Sequence, residues 1–231
     1  MTLHRRIAKK IQSFLNDKFE KRRIVRALSE LDRKKIIVGS NKKIDYPGWI
    51  NTDKNTLDIT KDKDWRYYFD DGSVDNVLAE HVFEHLNFDD GIMAFKNIFK
   101  YLKKGGVLRI AVPDGYHPSK YVRDLVEPGG LEPGADDHKT FYNIAMIKEI
   151  AQTVGFVLQP IEYFDQDGLF HSTEYGFDNG YIKRCSKNYQ GRFTDSQDEY
   201  EKMINSIPEN LRNQFYKNNI SYTSLLVDLK K

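Results

Sequence analysis

The sequence holds a single cysteine, Cys185, which rules out an internal disulfide and any multi-cysteine metal site. No apolar run approaches the ~20 residues a membrane-spanning helix needs. The N-terminal stretch lacks the apolar segment and small-residue cleavage site of a secretory leader. There is neither an internal repeat nor a low-complexity tract. These absences lead to the expectation of a cytoplasmic globular protein. The 231 residues are 39% hydrophobic and 30% charged, enough for one large domain with a true core and too few for two comfortable ones.

Net charge is only +2, but it is unevenly spread. Residues 1–35 carry twelve basic and four acidic side chains, a net of +8, which leaves −6 for the rest. A basic arm on a mildly acidic body points to an anionic surface as a partner for residues 1–33, with the domain proper at 34–231. No RNA-binding signature accompanies the arm, so nucleic acid is not expected. The plainer reading packs the apolar stripe of this helix on the domain and leaves its charges in water.

Leu3, Ile7, Ile11, Phe14, Leu15, Ile24, Val25 and Leu28 recur at helical spacing and predict a helix over 3–31. The run 34–39 reads as a buried strand ending in a glycine turn, and 49–53 as a second strand ending in an acid. Leu57-Asp58-Ile59 suggests a weak third strand. Val74 to Ala79 reads as another, Asp89-Asp90 opens a helix that Gly105-Gly106 ends, and 107–112 is the clearest strand. Residues 114–137 look like a long loop, 139–154 a helix, 156–163 a strand and 165–200 irregular. A helix near 197–217 and a strand over 224–228 close the chain. Strands alternating with helices imply an α/β fold, doubly wound, with a mostly parallel sheet covered on both faces. Ligands in such sheets bind at the carboxyl ends of the strands.

The chemistry-bearing residues follow strands. Gly39-Ser40-Asn41 lets the backbone approach a ligand, and Asp53 ends the next strand, where an acid can take hydrogen bonds from two ribose hydroxyls. An ordinary turn and a surface acid have the same spacing. Asp58 with its apolar neighbour Ile59 could hold an adenine amino group, and an edge strand would look alike.

The segments Asp71-Gly72-Ser73-Val74-Asp75, Phe83-Glu84-His85-Leu86 and Leu102-Lys103-Lys104-Gly105-Gly106-Val107-Leu108, in this order, resemble class I S-adenosylmethionine-dependent methyltransferases of the type 11 kind. Gly180 to Arg184 and Tyr222 to Asp228 resemble a subgroup linked to surface-glycan synthesis. The resemblance implies a Rossmann-like seven-stranded sheet and S-adenosylmethionine as cofactor. It implies contacts from Gly39 and Ser40, ribose binding by Asp53 and adenine beside Asp58 and Ile59, with Glu80 and His81 by the methionine part. A sugar or small polar acceptor on the glycan side is then expected, methylated on oxygen. The family usually has more glycines in its first motif and a helix after it; here Pro47 comes too soon for a full one.

An oxygen acceptor usually needs a base, and the candidates are His138, His85 and Asp114. Tyr116, His117, Tyr142 and His171 could line the acceptor pocket. His81-x-x-Glu84-His85 also matches the pattern of inverted zinc peptidases, which gives a metal-dependent hydrolase as an alternative. Small-RNA and ubiquinone-pathway methyltransferases are similar in this region and hold a divalent metal, which here would fall to Glu84, His85 and His138. The adopted reading has Glu84 and His85 cap and pack the turn, with no metal. A methyltransferase-like binding module without activity is the remaining alternative.

Overall fold

The computed structural model describes residues 3–40, 46–182, 197–218, 220 and 223–231. Helix α1 (Leu3–Ser29) leads into β1 (Lys35–Val38), whose parallel partner is β2 (Trp49–Asn51). Leu57-Asp58-Ile59 is not a strand. The amide of Leu57 bonds back to Asp53 and that of Lys61 to Asp58, while the Asp58 carboxylate takes the Thr60 N–H at 3.1 Å. A side chain that satisfies its own backbone in this way competes with a ladder. The turn delivers α2 (Asp62–Tyr68), which periodicity did not reveal. Its Trp65 is fully buried and stacks on Tyr101 at 5.5 Å.

Strand β3 (Val74–Glu80) ends in a 3-10 turn at Phe83–His85, and α3 (Phe88–Tyr101) starts where Asn87 accepts the Asp90 N–H at 2.9 Å. The helix does not run to Gly105. Strand β4 (Leu102–Pro113) follows it directly, with Gly105 at φ 81° and a register shift against β3. Residues 114–137 form no bare loop: Ser119 caps α4 (Lys120–Val126), and a 3-10 turn covers Ala135–Asp137. Helix α5 (Ile144–Val154) begins later than periodicity suggests, because Asn143 caps it. Then come β5 (Val157–Phe164), β6 (Phe170–Ser172), α6 (Gln197–Asn205), α7 (Glu209–Asn218) and β7 (Ser224–Lys230). The single helix expected near 197–217 is two, parted at Pro208, which disfavours helix in the residue before it.

The sheet has seven strands in the order β2-β1-β3-β4-β7-β5-β6. β2, β1, β3 and β4 are parallel, and β7 runs antiparallel to both β4 and β5. The count agrees with expectation, although β6 takes the place of the strand expected at 57–59. One face packs Ile36, Val38, Val77, Leu108 and Ile110 against α2, α3, α5 and the end of α1. On the other, Ile37, Leu78, Ala111 and Leu226 meet Ile182, Tyr175, Tyr46 and Trp49. Among the described residues, loop segments rather than regular helices pack there, since Pro47-Gly48 leaves little chain between β1 and β2. Arg109 ties the covering segment down. It pairs with Asp228 through two 2.7 Å bonds and donates to the carbonyls of Gly176 and Gly180. No helix among the described residues is long and apolar enough to cross a membrane.

Candidate active site at the carboxyl ends of the strands

β1 and β3 lie side by side and end together, and their exits shape the site. Gly39 takes φ 67°, and a Cβ there would fall 2.5 Å from Cγ2 of Val82. Only glycine fits this turn without strain. Asp53 Oδ1 accepts the amides of Asn55 and Thr56, both at 2.9 Å, and the Thr56 hydroxyl at 3.0 Å. Its other oxygen has no partner among the described residues. Asp58 is buried, with Thr60 on one oxygen and Lys61 on the other at 2.7 Å. Burial would raise its pKa, but the hydrogen bonds from Lys61 and Thr60 outweigh it and hold the carboxyl below its usual range.

Two cavities flank the Gly39-Ser40 turn. One, of about 330 Å³, is lined by Gly39, Asp58, Ile59, His81, Val82 and His85. The other, of about 360 Å³, sets Ser40, Asp53 and Thr56 opposite Asn16, Glu20 and Arg23 of α1. Glu80 lines neither. It ends β3 beside His81, and burial raises its carboxyl pKa.

His81 turns the chain out of β3 with φ 52°, the one left-handed non-glycine among the described residues. Such strain persists only where the surroundings enforce it. The His81 amide donates to Ala111, Nδ1 lies 2.9 Å from Glu84 Oε1, and Nε2 lies 3.2 Å from Ser224 Oγ. Burial opposes charge on the ring, but Glu84 outweighs it and raises the pKa. The peptidase pattern is thereby corrected. His81 and His85 do not share a helical face, because only a three-residue 3-10 turn follows His81.

Glu84 is 1% exposed, and its Oε2 is unpartnered. Its oxygen and ring nitrogens of His85 and His138 lie within 4.8 Å of one another. The His85 and His138 rings meet edge to face at 4.8 Å. His138 Nδ1 is 2.7 Å from the Val126 carbonyl. A carbonyl only accepts, so Nδ1 carries a hydrogen, and Nε2 is the ring nitrogen left to exchange a proton. His85 lines the smaller cavity together with Asp137 and Lys139.

Asp114 lines neither of the two cavities. It is 2% exposed, and its oxygens accept the amides of Tyr116 at 2.9 Å and Phe164 at 2.8 Å. Burial pushes its carboxyl up to about 7. His117 is sealed among Phe164 and Phe215, and burial lowers it to about 3. Tyr142 is buried, His171 pairs with Asp165 at 2.7 Å, and Tyr116 borders a separate groove against α5. None of these four lines the two cavities.

The sequence family described as a methyltransferase domain matches residues 5–161, a span holding both cavities. The chain belongs to this methyltransferase family. No curated protein matches it. Among solved structures, this methyltransferase is similar to a SAM-dependent methyltransferase from Archaeoglobus fulgidus, with 13% identity over 93% of this chain and 94% of that one, and a TM-score of 0.48. A SAM-dependent methyltransferase from Thermotoga maritima shares 17% identity over 76% and 92%, TM-score 0.40. A phosphoethanolamine N-methyltransferase 2 from Haemonchus contortus, in complex with phosphomonomethylethanolamine and S-adenosylhomocysteine, shares 14% over 87% and 49%, TM-score 0.45. In the methyltransferase described here, sequence reasoning missed Val82, which closes on Gly39, and the wall that α1 supplies. The helical spacing of Asn16, Glu20 and Arg23 was the available signal.

Proposed function

We propose that this methyltransferase uses S-adenosylmethionine and methylates an oxygen of a sugar or other small polar acceptor. The observation that carries the reading is the paired cavity around Gly39, at the carboxyl ends of β1, β2 and β3. The residues there fit the cofactor: the glycine cradle would be filled by any Cβ, and Asp53 keeps a carboxylate oxygen for hydroxyl donors. Gly39, Ser40, Asp53, Asp58, Ile59 and His81 are assigned to hold it. When bound, the cofactor supplies an electrophilic methyl carbon on a sulfonium, so the protein's task is mostly alignment. His81, held between Glu84 and Ser224, fixes the cavity wall. His138, with Nε2 free, is the base assigned to the acceptor hydroxyl proton, and His85 stands beside it. The sugar acceptor rests on the glycan-linked resemblance of the C-terminal motifs, of which Lys183, Arg184 and Tyr222 lie outside the described residues.

The convergence of Glu84, His85 and His138 favours a second form of the same reaction, assisted by a divalent cation. These three would hold it, and it would lower the acceptor hydroxyl's pKa. Metal analysis of the purified protein and of Glu84→Ala tests this; a metal-free, metal-indifferent enzyme removes it.

Calorimetric titration with S-adenosylmethionine and S-adenosylhomocysteine tests the main reading. Micromolar binding is expected, weakened at least about 100-fold by Asp53→Ala, the loss of charged hydrogen bonds worth roughly 3 kcal/mol. No binding at millimolar ligand, or unchanged affinity in the variant, would refute the ribose assignment.

A further inference from the structure

Helix α1 has two working faces. Ile24 and Leu28 enter the core, 1% and 7% exposed. Leu15, Phe19, Arg22 and Arg26 stand at i, i+4, i+7 and i+11, a single stripe about half a turn away from Ile24. On that stripe Leu15 is 53% and Phe19 68% exposed, and Val25 beside it 44%. Upstream on the same helix the sequence places Ile7 and Ile11 at i−8 and i−4 from Leu15, among Arg5, Arg6, Lys9 and Lys10. Tyr67 of α2, 56% exposed, adjoins the helix with Lys21 Nζ 5.8 Å from its ring.

Exposed apolar side chains in line along a helix, interleaved with cations, match a flat anionic boundary better than a pocket. The helix has 27 residues and is therefore about 40 Å long. Charge supplies the orientation. The first 35 residues carry +8 and the remainder −6, so one surface attracts α1 and repels the body. We propose that the outward face of α1 docks this protein on an anionic lipid bilayer, with Leu15 and Phe19 entering the headgroup boundary and Lys18, Arg22 and Arg26 against lipid phosphates. Phe19 also borders the cavity that holds Asp53, together with Asn16, Glu20 and Arg23, so the docked face of the helix meets a wall of the site. This docking does not depend on which cofactor the site takes.

Sedimentation of the full chain with vesicles tests it. The protein is expected to pellet with phosphatidylcholine mixed with phosphatidylglycerol and to remain in solution with phosphatidylcholine alone. The bound fraction falls as salt rises. Arg22→Glu removes one positive charge and adds a negative one, so the partition coefficient drops about 25-fold at about fivefold per charge. Leu15→Glu also releases the protein, and both variants keep the wild-type melting temperature. The proposal is overturned by equal binding to neutral vesicles, by no binding to either, or by unchanged partition of both variants. Tighter binding of a single-stranded RNA than of anionic vesicles would give the face to nucleic acid instead. Self-association abolished by Leu15→Glu would give it to a second copy.

Discussion

Gly39→Ala is the sharpest test of the site geometry. The backbone sits at φ 67°, where a residue with a Cβ is strained by roughly 1–2 kcal/mol. The new methyl would stand 2.5 Å from Val82 Cγ2. Valine is stiff at χ1, so relief means moving the residue that follows His81, at a further cost of about 1–2 kcal/mol. The total of about 2–4 kcal/mol lowers the melting temperature by roughly 4–16 °C for a chain of this size. Val82→Ala alone loses two partly buried methyl-sized groups, about 1 kcal/mol. In the double variant the collision is gone and only the backbone strain stays. Thermal and urea unfolding of the four proteins then give a coupling of about 1–2 kcal/mol in favour of the pair. Calorimetry on the same set should show cofactor affinity falling at least about tenfold in Gly39→Ala and partly returning in the double variant. A single variant that melts within a degree of wild type, or a cycle with no coupling, refutes the close approach of β1 and β3 exits.

Arg109→Met leaves Asp228 buried without its partner and should cost about 3–5 kcal/mol; hydrogen exchange is expected to rise first in 175–182, and uniform exchange would contradict the clamp. Asp114, with a folded pKa of about 7 against an ordinary 3.8, stabilises the fold fully below about pH 4 and loses that contribution as pH rises toward 7, by at most roughly 4 kcal/mol. Urea midpoints of wild type minus Asp114→Asn should therefore shrink across that window, and a flat difference counts against a buried, neutral carboxyl. His138→Ala should lower kcat by about 10²–10⁴ with cofactor affinity unchanged, whereas a parallel loss of affinity would make the residue structural.

The buried strands were legible because β1, β3, β4 and β7 each hold a short apolar run (Ile36–Val38, Val77–Ala79, Ile110–Val112 and Leu225–Val227), as strands covered on both faces tend to. Leu57-Asp58-Ile59 misled because apolar-acid-apolar alternation also arises in a turn whose acid bonds its own backbone. Asp114 marks a different limit. Its place just after a strand is right, but periodicity does not say whether a post-strand residue faces the cavity or turns under the chain, and two amide donors turn Asp114 under. His138 is far from the adjacent pair Glu84-His85 in sequence, and their meeting depends on how α4 and the 3-10 turn fold 114–137 back. That return path is set by packing of Val122 and Ala135, which no local pattern announces.

The segment from Asp114 to Thr140 is pinned at both ends by polar bonds into the parallel sheet's frame. Asp114 seizes the Tyr116 and Phe164 amides at one end. At the other, the Glu84 carbonyl takes the amides of Lys139 and Thr140, and Thr140 Oγ1 donates to Leu86. Between these anchors the chain carries His138 past Glu84 and His85 without contributing a strand. The exposed stretch 127–134 can therefore change composition while both fastenings and the packing of Val122 and Ala135 stay. If the proposed role of His138 holds, exchanging that stretch alone would change acceptor preference and leave the turn around Gly39 as it is.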